Sequence, residues 1–275
     1  MDAIIGRVSV AAPLADALEP LRSEPTRAAV LLDVDGTLAP IVRHADDAHV
    51  PEPTRVPLIA IAKRYGLVAC VSGRQASIAR RIVSLGTITY VGNHGAEILR
   101  GGATEAELDP EVAAWAPRVQ DFARSAMTDE LRRLRVRDED KQVIAALHWR
   151  GAPDEAAAER AVMAVKAQAE AAGFWTHEGR KVLEIRPPVA LDKGRGIRRL
   201  LAGRQQVDTA LYAGDDLTDL DAFSVLRELR DEGVLTSALC VGVASDETPP
   251  RLAESADMLV DGPAGVRAML SMLAA

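Results

Sequence analysis

The sequence predicts an α/β protein whose core is a parallel sheet and whose middle part is an inserted α+β cap domain. Apolar runs alternate with helical segments in both outer parts of the chain, which is the order found in parallel-sheet proteins. The run at residues 28–32 is apolar at every position, as expected for a central strand covered on both faces. Between the outer parts the order of elements changes, and this change predicts the insert.

The first part of the core is predicted from apolar spacing and from the glycines that end its helices. Leucines at helical spacing predict a short helix around residues 14–21, ahead of the first strand. After that strand, helices and strands alternate: a helix at 58–65, a strand at 67–71, a helix at 76–85 and a strand at 88–91.

The middle of the chain follows a different order. Apolar positions from Pro110 to Leu134 predict one long amphipathic helix. The segments after it complete a helix–strand–helix–strand–strand order: a strand at 143–149, an alanine-rich helix at 154–172, and strands at 174–177 and 181–186. We therefore predict a cap domain at residues 103–187.

The alternating order resumes after Pro187 and Pro188, so the core is predicted to be discontinuous, formed by residues 1–102 and 188–275. Its second part contains a helix at 193–203, a strand at 210–213, a helix at 218–230, strands at 239–243 and 258–260, and a last helix that ends at residue 273.

The composition excludes several classes of function. The 275 residues include 33 basic and 40 acidic side chains, and a formal net charge of −7 disfavours nucleic acid and anionic lipid as partners. No apolar stretch approaches the roughly 18 residues that a membrane helix needs. Cys70 and Cys240 lie in apolar runs, so we expect buried thiols in a reduced, cytoplasmic protein.

Two carboxylates, Asp33 and Asp35, follow the first predicted strand, and Gly36 comes directly after them. Ligands of open parallel sheets bind beyond the carboxyl ends of the strands, so these carboxylates are expected in the functional crevice. An Asp-Gly pair is also common in simple turns, and this motif alone therefore leaves both interpretations open.

Further polar groups lie at the ends of later strands or at the start of a helix. Ser72 follows the second strand, Lys193 begins a helix, and Asp215 and Asp216 follow the strand at 210–213. A carboxylate can attack phosphorus to form an aspartyl-phosphate, and Mg²⁺ prefers carboxylate oxygens. A hydroxyl and an ammonium group can donate to the phosphoryl oxygens. Together these groups favour phosphoryl transfer over a simple turn.

In this order and at these positions, the motifs resemble those of the haloacid dehalogenase superfamily of aspartate-nucleophile phosphotransferases. The resemblance implies a Rossmann-like core with an inserted cap. It also implies that Asp33 is the nucleophile and that Asp35 protonates the leaving oxygen and then activates water. Ser72 and Lys193 would hold the phosphate. Because ATPases of the superfamily carry threonine at the position of Asp35, the aspartate favours a hydrolase.

The same resemblance implies a Mg²⁺ site. Its ligands would be Asp33, the backbone carbonyl of Asp35, and Asp215. Asp216 and Asp219 would support the site by ordering the metal-bound water and the lysine.

A closer resemblance is to the trehalose-6-phosphate phosphatase family. It covers about residues 28–225 and rests on motifs in the family's order and spacing: LLDVDGTLAPIV, VSGR, VGNHGAEI, EDKQVIAALHWR, GRKVLEIRP, DKGRGIRRLL and YAGDDLTDLDAF. Two residues depart from the family pattern. Leu220 stands where the family usually has glutamate, and Ile144 stands where it usually has a small polar residue.

The family resemblance also implies substrate contacts. Glu139, Lys141 and Glu184 would bind sugar hydroxyls through charge-assisted hydrogen bonds, although the first two also fit a solvated charge run. Asn93 and His94 lie at a strand end and are expected to contact the substrate or a hinge. The remaining candidate for substrate binding, Arg74, would meet the substrate or orient its own loop.

The resemblance implies a Mg²⁺-dependent phosphatase that hydrolyses trehalose 6-phosphate, with functional coupling to a trehalose-phosphate synthase. Three alternatives remain open: a phosphatase for another phosphosugar such as sucrose phosphate, a phosphomutase, and a non-catalytic regulator that binds sugar phosphates on the same fold. The intact set of Asp33, Asp35, Lys193 and Asp215 disfavours the regulator, which needs neither a nucleophile nor its acid.

Overall fold

The computed structural model describes residues 11–42, 47–246 and 248–275, so the first ten residues of the predicted core lie outside it. The chain divides into two units. The core unit extends to Glu107 and resumes at Asp192–Ala275, and the cap unit is Leu108–Leu191. The boundaries predicted from the sequence lie a few residues before each of these positions.

The strands belong to two sheets, one in each unit, and are numbered in chain order. They are β1 (Ala28–Leu32), β2 (Leu67–Val71), β3 (Thr89–Gly92), β4 (Glu97–Leu99), β5 (Glu107–Leu108), β6 (Arg137–Asp140), β7 (Ala145–His148), β8 (Trp175–Gly179), β9 (Val182–Arg186), β10 (Thr209–Gly214), β11 (Ser237–Ala244) and β12 (Met258–Asp261).

The helices follow the same numbering. They are α1 (Ala11–Ser23), α2 (Glu52–Ala62), α3 (Ala76–Val83), α4 (Pro110–Ala126), α5 (Asp129–Arg133), α6 (Glu155–Ala171), α7 (Lys193–Ala202), α8 (Asp219–Asp231), α9 (Pro250–Ser255) and α10 (Gly262–Ala274).

The core sheet has the order β12-β11-β10-β1-β2-β3-β4-β5, and the pairs from β12 to β3 are parallel. Residues of β1 are buried on both faces of the sheet. Val30 and Leu32 belong to the apolar cluster that contains residues of α1, α2, α3 and α10, whereas Ala29 and Leu31 belong to the cluster that contains residues of α7, α8 and α9. The predicted α/β fold class is confirmed, and the carboxyl end of β1 lies between those of β10 and β2.

Three strands were not predicted from the sequence: β4, which runs antiparallel to β3, the short β5, and β6, which adds a strand to the predicted order of the cap. The turn between β3 and β4 contains Asn93 and His94, both with left-handed backbone conformations. Their φ angles are +49° and +53°. This tight turn reverses the chain within a few residues, so that β4 pairs with β3.

The cap sheet is antiparallel, with the order β6-β7-β9-β8. One of its faces packs against α4 and α6 through Leu147, Leu183 and Ile185. Phe174, just before β8, joins the same core and contacts Phe122 of α4, with ring centroids 5.1 Å apart.

The prediction of one helix over 110–134 is wrong. The chain forms α4 and then the short α5, separated at Met127 and Thr128. Thr128 caps α5, since its hydroxyl accepts a hydrogen bond from the backbone N–H of Leu131 at 3.4 Å. The apolar spacing continues through the break, which is why periodicity alone did not reveal it.

Candidate active site

The centre of the site is a buried cluster of charges at the carboxyl end of β1. Lys193, the first residue of α7, places its Nζ 2.7 Å from Asp33 Oδ1 and 2.6 Å from Asp219 Oδ1. All three side chains are almost fully buried. Burial by itself lowers the pKa of a lysine, but the two carboxylates outweigh it and raise the pKa of Lys193 above its usual value. An ammonium group is therefore held against Asp33.

Tyr212 of β10 and Asp216, which follows that strand, position Asp219 in this cluster. Tyr212 Oη donates to Asp219 Oδ1 at 2.5 Å, and the backbone N–H of Asp216 donates to Oδ2 at 2.9 Å. A Cβ at Gly214 would lie 2.1 Å from Asp219 Cγ, so glycine leaves the room that the carboxylate needs. These contacts fit the role predicted for Asp219, which is to orient the lysine.

Asp215 follows β10 and lies over the turn at Gly36. A Cβ at Gly36 would be 2.0 Å from Asp215 Oδ2, and the φ of +80° also favours glycine there. Thr37 Oγ1 donates to Asp215 Oδ1 at 3.2 Å. Burial and the nearby carboxylates of Asp219 and Asp216 raise the pKa of Asp215 to about 6.

Asp33, Asp215 and Asp219 form a group that could hold a metal ion, because one carboxylate oxygen of each lies within 4.8 Å of the others. Lys193 provides one positive charge against these three carboxylates, which leaves an excess of negative charge. Hard oxygen donors with this excess fit Mg²⁺. Asp33 and Asp215 are thus brought together as predicted, and Asp219 joins them. The side chain of Asp35 is not in the group, and only its backbone carbonyl is a predicted ligand.

The side chain of Asp35 is held by Arg74 at the end of β2. Arg74 Nε and Nη2 donate to the two carboxylate oxygens at 2.7 and 2.8 Å. The backbone of Arg74 is fixed in turn: its N–H donates to Ser72 Oγ at 3.1 Å, and its carbonyl accepts from the N–H of Asn93 at 2.8 Å. Arg74 was predicted to meet the substrate or to orient its own loop, and its contact with Asp35 was not predicted.

Asn93 was predicted to contact the substrate or a hinge, and the structure places it in the turn after β3. Its side chain is fully buried and donates to Glu97 Oε1 at 3.2 Å. A side chain without exposed surface shapes the turn after β3. His94 is only half-buried and lies over Gly73, where a Cβ would be 2.6 Å from its ring. His94 therefore lies next to Ser72 and remains a candidate for substrate contact.

Asp216 and Leu220 lie at the start of α8. Asp216 Oδ1 accepts from the backbone N–H of Thr218 at 2.8 Å and is 4.0 Å from Lys193 Nζ. Asp216 thus lies at the margin of the charged cluster, where the sequence predicted a residue that supports the metal site. Leu220 is partly buried against the apolar cluster that contains Phe223, so it contributes to packing at this position.

The three predicted sugar-binding residues of the cap lie on one face of its sheet. Glu139 of β6 is opposite Ala146 of β7, and Ala146 is opposite Glu184 of β9. Side chains alternate along each strand, so this face is the one that does not carry Leu147, Leu183 and Ile185. We call it the polar face.

Glu184 is paired twice on the polar face. Lys141 Nζ donates to Glu184 Oε1 at 2.8 Å, and Arg186 Nε donates to Oε2 at 3.0 Å. Burial by itself would raise the pKa of Glu184, but these two cations lower it to about 2. Lys141 and Glu184 are mostly buried, which is unlike a solvated charge run.

Glu139 is more exposed and contacts His148, whose Nε2 lies 2.9 Å from Glu139 Oε2. His148 is the last residue of β7. The contact of His148 with Glu139 and the contact of Arg186 with Glu184 were not predicted from the sequence. Both depend on strand register. Glu184 and Arg186 are two residues apart, and this spacing could have predicted that their side chains share one face of a strand.

A family model described as trehalose-phosphatase matches residues 31–255, a stretch that includes every site residue named above. The chain belongs to the trehalose-phosphatase family. The resemblance to this family that the sequence predicted is thereby confirmed.

Two relatives of this chain are longer proteins. A trehalose-phosphate phosphatase of Mycobacterium marinum is 32% identical over 244 residues, which are 83% of this chain and 60% of that protein. An uncharacterized glycosyl hydrolase of Mycobacterium tuberculosis is 34% identical over 210 residues, 73% of this chain but 15% of that protein. The chain thus spans less than two thirds of the length of each relative.

The fold also matches a solved structure from the family. The C-terminal domain of a Candida albicans trehalose-6-phosphate phosphatase superimposes with a TM-score of 0.67 at 23% identity. The match covers 94% of this chain and 96% of that domain. Within the described residues, no helix is both long and apolar enough to span a membrane.

Proposed function

We propose that this chain is a Mg²⁺-dependent phosphatase that hydrolyses trehalose 6-phosphate to trehalose and phosphate. The observation that carries the proposal is the buried contact of 2.7 Å between Asp33 and Lys193. It places a carboxylate that can attack phosphorus beside a cation that can bind a phosphoryl group. Membership of the trehalose-phosphatase family supports the substrate.

In the first step, an oxygen of Asp33 attacks phosphorus and the bond from phosphorus to the sugar oxygen breaks. The protonated carboxyl of Asp35 gives its proton to the departing sugar oxygen, which leaves as the hydroxyl of trehalose. The product on the protein is an aspartyl-phosphate at Asp33. Asp33 forms the bond to phosphorus and Asp35 transfers the proton. They are two residues apart in the chain directly after β1, so both side chains can reach the same phosphate group.

In the second step, the Asp35 carboxylate takes a proton from water as the water oxygen attacks phosphorus. The bond between phosphorus and the Asp33 oxygen breaks, which releases phosphate and restores both side chains. Lys193 and the hydroxyl of Ser72 donate to the phosphoryl oxygens in both steps and stabilise the charge that develops there.

When bound, Mg²⁺ would offset the repulsion between the phosphate and the carboxylates of the site. Asp33, Asp215 and the backbone carbonyl of Asp35 would hold it. Both oxygens of Asp219 are hydrogen-bonded within the protein, so we assign Asp219 to the support of Lys193. Asp216 would order metal-bound water from the margin of the cluster.

The cap would select the sugar. Glu139, Lys141 and Glu184 combine acceptors and a donor on one face, and charge-assisted hydrogen bonds to hydroxyls are strong. His94 would contact the substrate from the core. A cytoplasmic location fits the two buried free cysteines, Cys70 and Cys240. Coupling to a trehalose-phosphate synthase belongs to the same proposal, because the substrate must come from a reaction that transfers a glucosyl group from an activated donor to a hydroxyl of a glucose phosphate.

A phosphate-release screen tests the proposal. Trehalose 6-phosphate, sucrose 6-phosphate, glucose 6-phosphate and p-nitrophenyl phosphate are compared with Mg²⁺ and with EDTA. We expect the highest kcat/KM for trehalose 6-phosphate and no release in EDTA. A clear preference for another phosphosugar would replace the substrate, transfer of phosphate to a second hydroxyl would indicate a mutase, and no release from any compound would favour a regulator.

A further inference from the structure

Trp175 presents a large aromatic side chain on the polar face of the cap. It is the first residue of β8 and lies opposite Arg186 of β9. Two residues further along β8, His177 lies opposite Glu184. Since side chains alternate along a strand, Trp175 and His177 share a face with Glu184 and Arg186. The indole and the proposed sugar-binding carboxylates therefore belong to one surface.

The opposite side of β8 is used for contacts with α6. Thr176 Oγ1 donates to Glu170 Oε1 at 2.6 Å, and Lys166 Nζ lies 2.6 Å from Glu178 Oε1. The orientation of β8 is therefore held by contacts of its intervening residues. These contacts turn Trp175 away from α6.

Trp175 does not take part in the aromatic packing of the cap core. The preceding residue, Phe174, lies edge-on to Trp115, with ring centroids 6.1 Å apart. Trp149 is almost completely buried, whereas Trp175 is 52% exposed. Tryptophan is enriched at binding surfaces, because it combines a large apolar ring with an N–H that can stay hydrated.

The chemistry of the polar face fits a carbohydrate. One side of a pyranose ring is lined with C–H bonds, which contact the electron-rich face of an indole favourably. The hydroxyls at the ring edge can bond with Glu139, Lys141 and Glu184. An exposed aromatic ring beside charged hydrogen-bonding groups offers both kinds of contact on one surface.

We infer that Trp175 is a specificity-determining residue that stacks against a pyranose ring of the phosphosugar substrate. This inference rests on the proposed function, because it requires that the cap recognises the sugar. The indole supplies apolar contact and ring shape, and the neighbouring carboxylates and lysine supply the hydroxyl contacts. Selection by Trp175 therefore depends on the sugar and not on the phosphate.

Two substitutions and a control test the inference. Trp175→Ala should raise KM for trehalose 6-phosphate about tenfold, equivalent to about 1.4 kcal/mol, because a stacking surface is lost. Trp175→Phe keeps an aromatic ring, so its KM should lie much closer to that of the wild-type protein. Val234→Ala, which removes an exposed apolar side chain of the core unit, should leave KM unchanged. The kcat value and the hydrolysis of p-nitrophenyl phosphate should change less than about twofold in all three variants.

Fluorescence provides a measurement that does not depend on turnover. All three tryptophans of the chain, Trp115, Trp149 and Trp175, are in the cap. In EDTA, trehalose 6-phosphate should shift the emission of the wild-type protein, and Trp175→Phe should lose most of this shift.

The outcomes separate this inference from the proposed function. If the wild-type protein hydrolyses trehalose 6-phosphate but Trp175→Ala has an unchanged KM, the stacking role is wrong and the function stands. If another phosphosugar is the preferred substrate, the same variants are compared on that compound, and an unchanged KM again contradicts the role. If no phosphosugar is hydrolysed or alters the emission, both the inference and the function are contradicted.

Discussion

Arg74 and Asp35, 39 residues apart in the chain, form a two-pronged ion pair in which Nε and Nη2 contact the two carboxylate oxygens at 2.7 and 2.8 Å. The guanidinium plane and the carboxylate plane are therefore aligned, and the orientation of Asp35 is restricted. In the proposed mechanism this carboxyl moves a proton to the leaving oxygen. Arg74 acts through Asp35 as a positioning residue.

Arg74→Lys should preserve the charge but lose the two-pronged contact. We expect kcat for trehalose 6-phosphate to fall about tenfold or more, because its sugar oxygen is a poor leaving group and needs a well-placed proton donor. p-Nitrophenyl phosphate has a good leaving group and should be affected much less. Parallel steady-state measurements on both substrates check this, and an equal loss on both would show that Arg74 does not act through Asp35.

Removal of the metal should stop hydrolysis. EDTA should abolish phosphate release, Mg²⁺ should restore it, and Ca²⁺ should restore it poorly because it prefers longer bonds and more ligands. Mg²⁺ at about 100 times its Kd should also stabilise the protein by about 2.7 kcal/mol, visible as a higher Tm. Asp215→Asn should lose this Tm shift. Full activity of a metal-free preparation would contradict the Mg²⁺ site.

Substitution of Glu139 should affect the sugar substrate selectively. Glu184 is tied to Lys141 and Arg186, so its replacement also disturbs the cap, and Glu139 is the cleaner test. Glu139→Gln should lower kcat/KM for trehalose 6-phosphate about tenfold or more, since a charge-assisted hydrogen bond is worth about 1.5–3 kcal/mol. Asp138→Asn, on the other side of β6, is the matched control. Equal losses on p-nitrophenyl phosphate would assign Glu139 a structural role.

The paired Glu184 should make the cap sensitive to acid. Its pKa in the folded protein is about 2, below its ordinary value of 4.5. The stabilisation is therefore present above about pH 4.5 and is lost as the pH falls toward 2, with an upper limit of about 3 kcal/mol. Urea unfolding followed by tryptophan fluorescence reports on the cap, where all three tryptophans lie.

For Glu184→Gln, the loss in free energy of unfolding should be large at pH 7 and should shrink as the pH approaches 3. Glu178→Gln removes a half-exposed surface pair with Lys166 and should cost less than about 1 kcal/mol. A loss for Glu184→Gln that is the same at both pH values would mean that the ion pairs of Glu184 do not stabilise the cap.

The core was predictable from the sequence because its signals are local. The apolar run of β1 and the glycines that end helices indicate the alternating order without any knowledge of long-range contacts. Polar residues directly after these strands, such as Asp33 and Asp215, are brought together by the general geometry of a parallel sheet. Because β1 pairs with β10, these two carboxylates come within 4.8 Å of each other.

The remaining features depend on contacts that spacing does not encode. The pair of Arg74 and Asp35 requires the loops after β1 and β2 to face each other, and the burial of Asn93 depends on β4, which was missed. The break between α4 and α5 had a local signal, since Thr128 is followed by Asp129, as at many helix starts. Continuous apolar spacing concealed that signal.

The turnover of Asp33→Asn on trehalose 6-phosphate with Mg²⁺ tests the central claim, that Asp33 carries the phosphoryl group, most directly. An amide keeps the shape of the side chain but cannot attack phosphorus, so kcat should fall by at least about a thousandfold while the circular dichroism spectrum is unchanged. Phosphate release by the pure variant at about a tenth of the wild-type rate or more would contradict the assignment of Asp33 as the nucleophile.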